Sequence, residues 1–400
     1  MSAQSDTARP GCAVCEANDD PKNPRTTAQA GRTVSPSLSA PEVVFAFRGG
    51  RGEMLPAIAT GATPDEFLYG FGEVQRRFPS AVFIEPAAKR TVLQRVLAPF
   101  ELLTVRLGFP LFVATALGNL RLLRGASALV GTTDGTGIPL LLLRRLGLHH
   151  TPVILITQGL HSIEEDTRTL PWSRALKRFL GGCLAQAAAI VTFGDGDTLA
   201  LRRAFSFCSL PEISQIQFGI DTAFWHPAST ALGDYVLSVG SDHLRDYPTL
   251  LAAIDSTPLR IVTRLPLPAD LLGSNVTVQS KLAWPELRAL YQQARFVVTP
   301  VKDQPRDSGH SATLQAMACG KAVILSDTAG LWDREHLRHG ETCWLVRPGD
   351  PAAMRAAISF LYAHPDEAAR IGHNARRFVE EHSTSAAFGT QLCSLIERLK

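Results

Sequence analysis

From about residue 128 onward, short apolar runs rich in Val and Ile alternate with stretches of helical period, and this alternation leaves the chain few folds. Strands are expected at 128–130, 152–156, 189–192 and 213–218, with helices at 137–146, 171–187 and 197–205 between them. The pattern restarts with a strand at 235–239 and continues through strands at 259–262, 276–278, 296–299, 322–325 and 343–346. Short strands joined through helices pair in parallel and are covered on both faces. The expected fold is α/β, with two facing Rossmann-like doubly wound domains and an interdomain cleft as the default site.

Within that frame the stretch 307–328, DSGHSATLQAMACGKAVILSDT, has a distinct shape. A small turn of Asp307, Ser308 and Gly309 leads into an amphipathic run carrying Ala312, Leu314, Ala316, Met317 and Ala318, and Gly320 precedes an apolar strand. The polar turn therefore stands at a helix N-terminus, where free N–H groups and the helix dipole attract anions. Gly309 lets backbone approach such an anion with no Cβ in the way. A diphosphate fits that description. Ligands of such sheets settle at the carboxyl ends of strands, which also singles out 158–161 and 194–197.

A chain of 400 residues, 45% of them hydrophobic, can bury more than one core, since single cores stop growing near ~250–300 residues. Lys and Arg exceed Asp and Glu by only 40 to 37, a balance that does not predict nucleic-acid binding. The 7 cysteines are odd in number and scattered, and no charged-then-apolar leader opens the sequence, so a reducing cytoplasm is the expected location. Cys12 and Cys15 form a C-x-x-C pair with no second pair or His cluster nearby, and are expected in an unstructured tail rather than a metal site. Residues 1–40, rich in Ser, Thr, Pro and Ala without an apolar period, are expected to be disordered. The domains expected beyond them are 41–218, completed by a C-terminal helix at 384–400, and 219–383.

In the first of these, a strand at 43–47 runs into Arg48, Gly49, Gly50, Arg51 and Gly52, a loop explained equally by a ligand or by a plain turn. Its spacing is not the dinucleotide fingerprint. Residues 90–124 interrupt apolar runs with Arg90, Arg95, Arg106, Arg121 and Arg124, and Pro110 breaks the longest. None reaches the ~18 residues that a spanning helix needs. Two readings stay open: an element lying on anionic lipid at the inner membrane face, or a buried helix pair whose arginines reach out to water.

Four ordered blocks then acquire a common meaning: FGIDTAFWHP at 218–227, VLSVGSDHLRDYPTLLAAI at 236–254, DSGHSATLQAMACGKAVI at 307–324 and HGETCWLVRPGDPAAMRAAI at 339–358. With them, 219–383 resembles the family 4 (group 1) retaining glycosyltransferases of the GT-B fold. The resemblance implies transfer of a sugar from a nucleotide diphosphate sugar to a glycan, lipid-linked sugar or small-molecule acceptor, with no metal and no further cofactor. Arg245 stands where the family usually has a Lys that grips the diphosphate, beside Gly240. Ser241 replaces a companion basic residue, whose part would fall to Arg264 or Arg51. Asp307 matches the carboxylate that contacts the transferred sugar. Gln315 matches the one that binds the ribose hydroxyls, at a loss of about 1–2 kcal/mol. Gln315→Glu is accordingly expected to keep or raise donor affinity.

The N–H groups of Gly309, His310, Ser311 and Ala312, with the Ser311 hydroxyl, would hold the diphosphate, and the His310 side chain would cap the helix. His161 is the candidate for orienting the donor sugar, with Gln158 as its rival, and Gly49, Gly50, Arg51 and Gly52 would form an acceptor or diphosphate loop. The implied mechanism rests on positioning and electrostatics, the leaving diphosphate taking the acceptor's proton on the same face. Two alternatives use the same fold: a nucleotide-sugar 2-epimerase, and a catalytically degenerate protein that binds a sugar nucleotide or a partner.

Overall fold

The computed structural model describes residues 40–87, 91–106, 110–160, 172–229 and 231–399. The expectations for 1–39, including Cys12 and Cys15, and for Arg90 and His161, fall outside these. Two parallel sheets of 6 strands each organise the chain. The first contains β1 (Val43–Ala46), β2 (Val82–Ile84), β3 (Ala128–Gly131), β4 (Val153–Ile156), β5 (Ala189–Thr192) and β6 (Glu212–Gln215), in the order β2-β1-β3-β4-β5-β6. The second contains β7 (Val236–Val239), β8 (Leu259–Val262), β9 (Val276–Gln279), β10 (Val297–Thr299), β11 (Val323–Ser326) and β12 (Trp344–Val346), in the order β12-β11-β10-β7-β8-β9.

Burial explains the order. The strands β1, β3, β4, β5 and β11 are apolar and buried throughout, as strands covered by helices on both faces must be. The edge strands β6 and β9 carry Glu212, Gln215, Thr277 and Gln279, and are only partly covered. In the second sheet the chain lays down β7, β8 and β9 outward and then returns to place β10 beside β7. The reversal opens a crevice at the carboxyl ends of β7 and β10.

The expected strands and helices recur with ends shifted by one to a few residues. Four elements of the first half were not anticipated: helices Arg51–Ala59 and Phe71–Arg77, the 3-10 turn Glu66–Leu68, and β2. The 90–124 segment divides into helices Val92–Arg106, Val113–Gly118 and Leu120–Gly125, the middle one buried against helix Asp134–Arg145.

The last helix, Ser385–Leu399, returns to the first half and packs on Phe71–Arg77. Its return is fixed where Ile220 N–H donates to Ser383 O (2.7 Å) and Ser385 N–H to Ile220 O (3.0 Å). Contact is close because both sides are glycine: a Cβ on Gly70 would lie 2.7 Å from Gly389 Cα, and one on Gly389 would overlap the Glu73 side chain. Gly389→Ala is expected to lower unfolding free energy by about 1–3 kcal/mol through overpacking. Denaturant melts measure it, and an unchanged midpoint would show that this contact is loose.

Candidate functional site

The crevice of the second sheet is lined by the turn after β7 and the loop after β10, and one carboxylate ties the two together. Asp242 Oδ2 accepts from Arg245 Nε (2.8 Å), and its Oδ1 accepts from Ser308 Oγ (2.6 Å). Burial by itself pushes the Asp242 carboxyl up, but Arg245 and Ser308 outweigh it and hold it below the usual range. Arg245 is 5% exposed, and its guanidinium lies between two glycines. A Cβ on Gly240 would overlap it; a Cβ on Gly309 would stand 3.0 Å from its Nη1 and 2.5 Å from Thr299 Cγ2. Arg245 Nη1 is buried and has no hydrogen-bond partner among the described residues.

Beside that nitrogen begins helix His310–Ala318, with Gly309 at φ 79° as its N-cap and no side chain capping it. His310 does not cap either. Its Nδ1 bonds Asp307 Oδ2 (3.1 Å) and its ring stacks on Trp332 at 4.2 Å. His310 Nε2 and Trp332 Nε1 are buried without partners, as Arg245 Nη1 is. Three polar atoms in one crevice thus lack the bonds that buried groups almost always make.

The first half closes over this crevice with the carboxyl edge of its own sheet. Arg306 Nη2 donates to Gln158 O (3.1 Å) after β4, and the Asp307 N–H lies 3.5 Å from Asp197 Oδ1 after β5. Burial, and then the charge of Asp307, push the Asp197 carboxyl well above its ordinary value. Asp307 is also driven up by burial, but the hydrogen bond from His310, the His310 charge and Arg306 together hold it below the usual range. The ionised member of the facing pair is therefore Asp307.

A second bridge between the halves centres on Glu66. Its Oε1 accepts from Trp225 Nε1 (2.9 Å) and from Gln315 Nε2 (3.0 Å), and its Oε2 from the Asp221 N–H (3.3 Å). Gln315 Oε1 in turn accepts from Tyr291 Oη (3.3 Å). Gln315, expected to offer its amide edge to a ribose, is 4% exposed and bonded at both ends within the protein. Burial raises the Glu66 carboxyl to about 8, against the bonds from Gln315 and Trp225.

The glycine-rich loop opens a helix. Gly49 and Gly50 turn the chain into helix Arg51–Ala59, and Glu85 caps it, accepting from the N–H groups of Arg51 (2.8 Å) and Gly52 (3.2 Å). A carboxylate already occupies the place where an anion would sit. Arg51 is buried with its guanidinium over the Phe67 ring. Ser241 Oγ accepts from the N–H of Arg264 (3.0 Å), so these two residues meet at the crevice's edge. Ser311 lies half-buried in the first helical turn. Gln158 sits at the cleft, its Nε2 donating to Tyr69 Oη (2.8 Å) and Thr132 O (3.0 Å).

Residues 243–364, which hold Arg245, Asp307 and the helix N-terminus, match the model of the family described as Glycosyl transferases group 1. The match covers less than a third of the chain and takes in the whole Asp307 loop. Among curated proteins the chain is similar to D-rhamnosyltransferase WbpZ of Pseudomonas aeruginosa, 32% identical over 135 residues, which are 32% of this chain and 35% of that protein. It is also similar to the alpha-maltose-1-phosphate synthase of Mycobacterium tuberculosis, 27% identical over 207 residues, 42% of this chain and 52% of that one. The matches thus span about a third to a half of these relatives. Among solved structures, a sucrose-phosphate synthase from Thermosynechococcus elongatus superposes with a TM-score of 0.66 at 16% identity, over 90% of this chain and 99% of that one. Anabaena Alr3699/HepE in complex with UDP-glucose does so with 0.64 at 14%, over 89% and 99%. These likenesses establish the fold of the two halves as GT-B.

Glu66 and Trp332 are not among the residues to which the sequence points, whereas Asp197 falls within 194–197, a strand end where a ligand is expected. A Gln in place of an expected Glu at 315 was the available signal for Glu66, since such an exchange calls for a partner. Gln315→Glu would set two buried carboxyls against each other and is expected to cost about 1–3 kcal/mol of stability. Adding Glu66→Gln should return most of that loss in a double-mutant cycle of denaturant melts. Strict additivity would mean that the two side chains do not interact.

The folded-state value of Glu66 lies above its unfolded one, so its contribution is fully present below about pH 4.5 and is lost as pH rises through about 8. The melting temperature of Glu66→Gln relative to wild type should therefore rise from pH 5 to pH 8.5. A flat difference would contradict the buried, proton-retaining carboxyl.

Proposed function

We propose that this chain transfers a sugar from a nucleoside diphosphate sugar to an acceptor hydroxyl, with retention at the anomeric carbon. The observation that carries the reading is Arg245, whose buried Nη1 has no partner and lies against Gly309 at an uncapped helix N-terminus. Planar guanidinium N–H and free backbone N–H groups together suit the oxygens of a diphosphate. The group 1 domain match supports the same ligand, as do the solved Anabaena complexes with UDP and UDP-glucose.

In the reaction, the bond from the anomeric carbon to the diphosphate oxygen breaks with its electron pair leaving on the diphosphate. The acceptor oxygen bonds to that carbon on the same face, and its proton passes to the departing diphosphate. Arg245 and the N–H groups of the helix stabilise the charge that develops there. Asp307, kept ionised, accepts from hydroxyls of the transferred sugar. Contact of the two halves along Asp197, Gln158 and Arg306 keeps water from the donor.

A second reading, sugar-nucleotide binding without turnover, is favoured by one observation, the engagement of Gln315 with Glu66. Assays with uridine, guanosine and adenosine diphosphate sugars and a panel of acceptors separate the two. Transfer is expected with at least one donor, and NMR of the product should show the donor's anomeric configuration. Arg245→Ala is expected to lower kcat/KM by on the order of a hundred-fold or more, and to lower the melting temperature as well, because it leaves Asp242 buried without its cation. Wild-type turnover in that variant would remove Arg245 from the site. Tight binding with no hydrolysis or transfer would support the second reading, and an inverted product would overturn retention.

A further inference from the structure

Helix Val92–Arg106 is turned the wrong way round for a soluble surface. Its polar side chains point inward: Gln94 and Thr104 are buried, Thr104 Oγ1 accepts from the Leu111 N–H (3.1 Å), and Glu101 Oε1 accepts from the Ala114 N–H (2.9 Å). Thr91 and Gln94 cap its start reciprocally, Thr91 N–H donating to Gln94 Oε1 (2.8 Å) and Gln94 N–H to Thr91 Oγ1 (3.2 Å). Leu93 and Leu97 are half-buried, Leu97 against the core, but six other large apolar side chains point outward, with Val92 76% and Val96 69% exposed, and Phe100, Leu102, Leu103 and Val105 each about half exposed. Contiguous apolar surface of this kind on a folded domain marks an interaction site.

Charge selects the partner. Arg95 and Arg106 are exposed on the same helix, and Arg121 is exposed on helix Leu120–Gly125, where Arg124 donates from Nε to Leu148 O (2.7 Å). The one carboxylate of Val92–Arg106, Glu101, is half-buried and engaged with Ala114. Docking on a second copy of this chain would bring Arg95 and Arg106 against their own kind with no acid between them. An anionic bilayer meets both halves of the pattern: apolar side chains enter the headgroup boundary, and the arginines meet lipid phosphates.

We infer that Val92–Arg106 seats the protein on an anionic membrane surface. The helix lies in the plane of the interface, and no helix of the described residues is long and apolar enough to cross it. The inference concerns binding alone and is independent of the transfer reaction.

The test is flotation of the full chain, without nucleotide, on vesicles of phosphatidylcholine alone and of phosphatidylcholine mixed with phosphatidylglycerol. Wild type should float with the mixed vesicles only, and less so as salt rises. Val96→Glu with Phe100→Glu should release it. Arg95→Gln with Arg106→Gln should weaken partitioning about ten-fold or more. Because these side chains are exposed, the melting temperatures should stay at the wild-type value. The inference is overturned if wild type floats with neither vesicle or with both alike, or if both double variants float as wild type does. It is also overturned if light scattering shows a wild-type dimer that Phe100→Glu dissociates.

Discussion

A buried carboxyl that three parts of the chain share holds the two halves in register. Glu66 comes from a short turn of the first half, Trp225 from the connecting segment, and Gln315 from the helix that opens the site. An ionised carboxylate would pay heavily for losing water there, so the group keeps its proton to about pH 8 and accepts bonds instead. This explains the amide at 315. With a Glu in both places the contact would hold two desolvated acids where an acid now meets the N–H of an amide. The exchange at 315 is therefore a property of the interface, coupled to a residue 249 positions away.

The same electrostatic rule governs the other crossing. Asp197 and Asp307 face each other from opposite sheets, and the two diverge because only Asp307 has His310 beside it, whereas the charge of Arg306 acts on both. One acid holds its proton and the other its charge. Where domains close over a polar cleft, each facing pair of acids needs such a division, or closure would be opposed by repulsion in a low dielectric.

What could be read from the sequence follows from how local each feature is. Buried strands such as Ala189–Thr192 and Val153–Ile156 announce themselves by β-branched runs, and alternation with helices then dictates a parallel, doubly wound arrangement. The turn of Asp307, Ser308 and Gly309 is also legible, because a glycine before a helical run is a local device. Helix Arg51–Ala59 was hidden by Pro56 within it and glycines at its start, which read as a loop. Glu66 carries no local mark, since its role depends on contacts that only the folded chain creates. In Val92–Arg106 the polarity was legible but its direction was not: which face turns inward is decided by the N–H groups of Leu111 and Ala114, which need Thr104 and Glu101 as acceptors.

The Arg at 245, where the resemblance leads one to expect a Lys, then follows from one geometric point. Asp242 already requires a cation, which Arg245 supplies through Nε, while Ser308 fixes the carboxylate from the other loop. A lysine ammonium engaged by Asp242 would have its single charged nitrogen committed there. A guanidinium is planar and rigid, so binding Asp242 through Nε fixes where Nη1 points. On the proposed reading, Nη1 is thereby aimed before any diphosphate arrives, and little ordering is left to be done on binding. The glycines at 240 and 309 complete the arrangement, because a Cβ at either position would occupy the space that this guanidinium and its ligand must share.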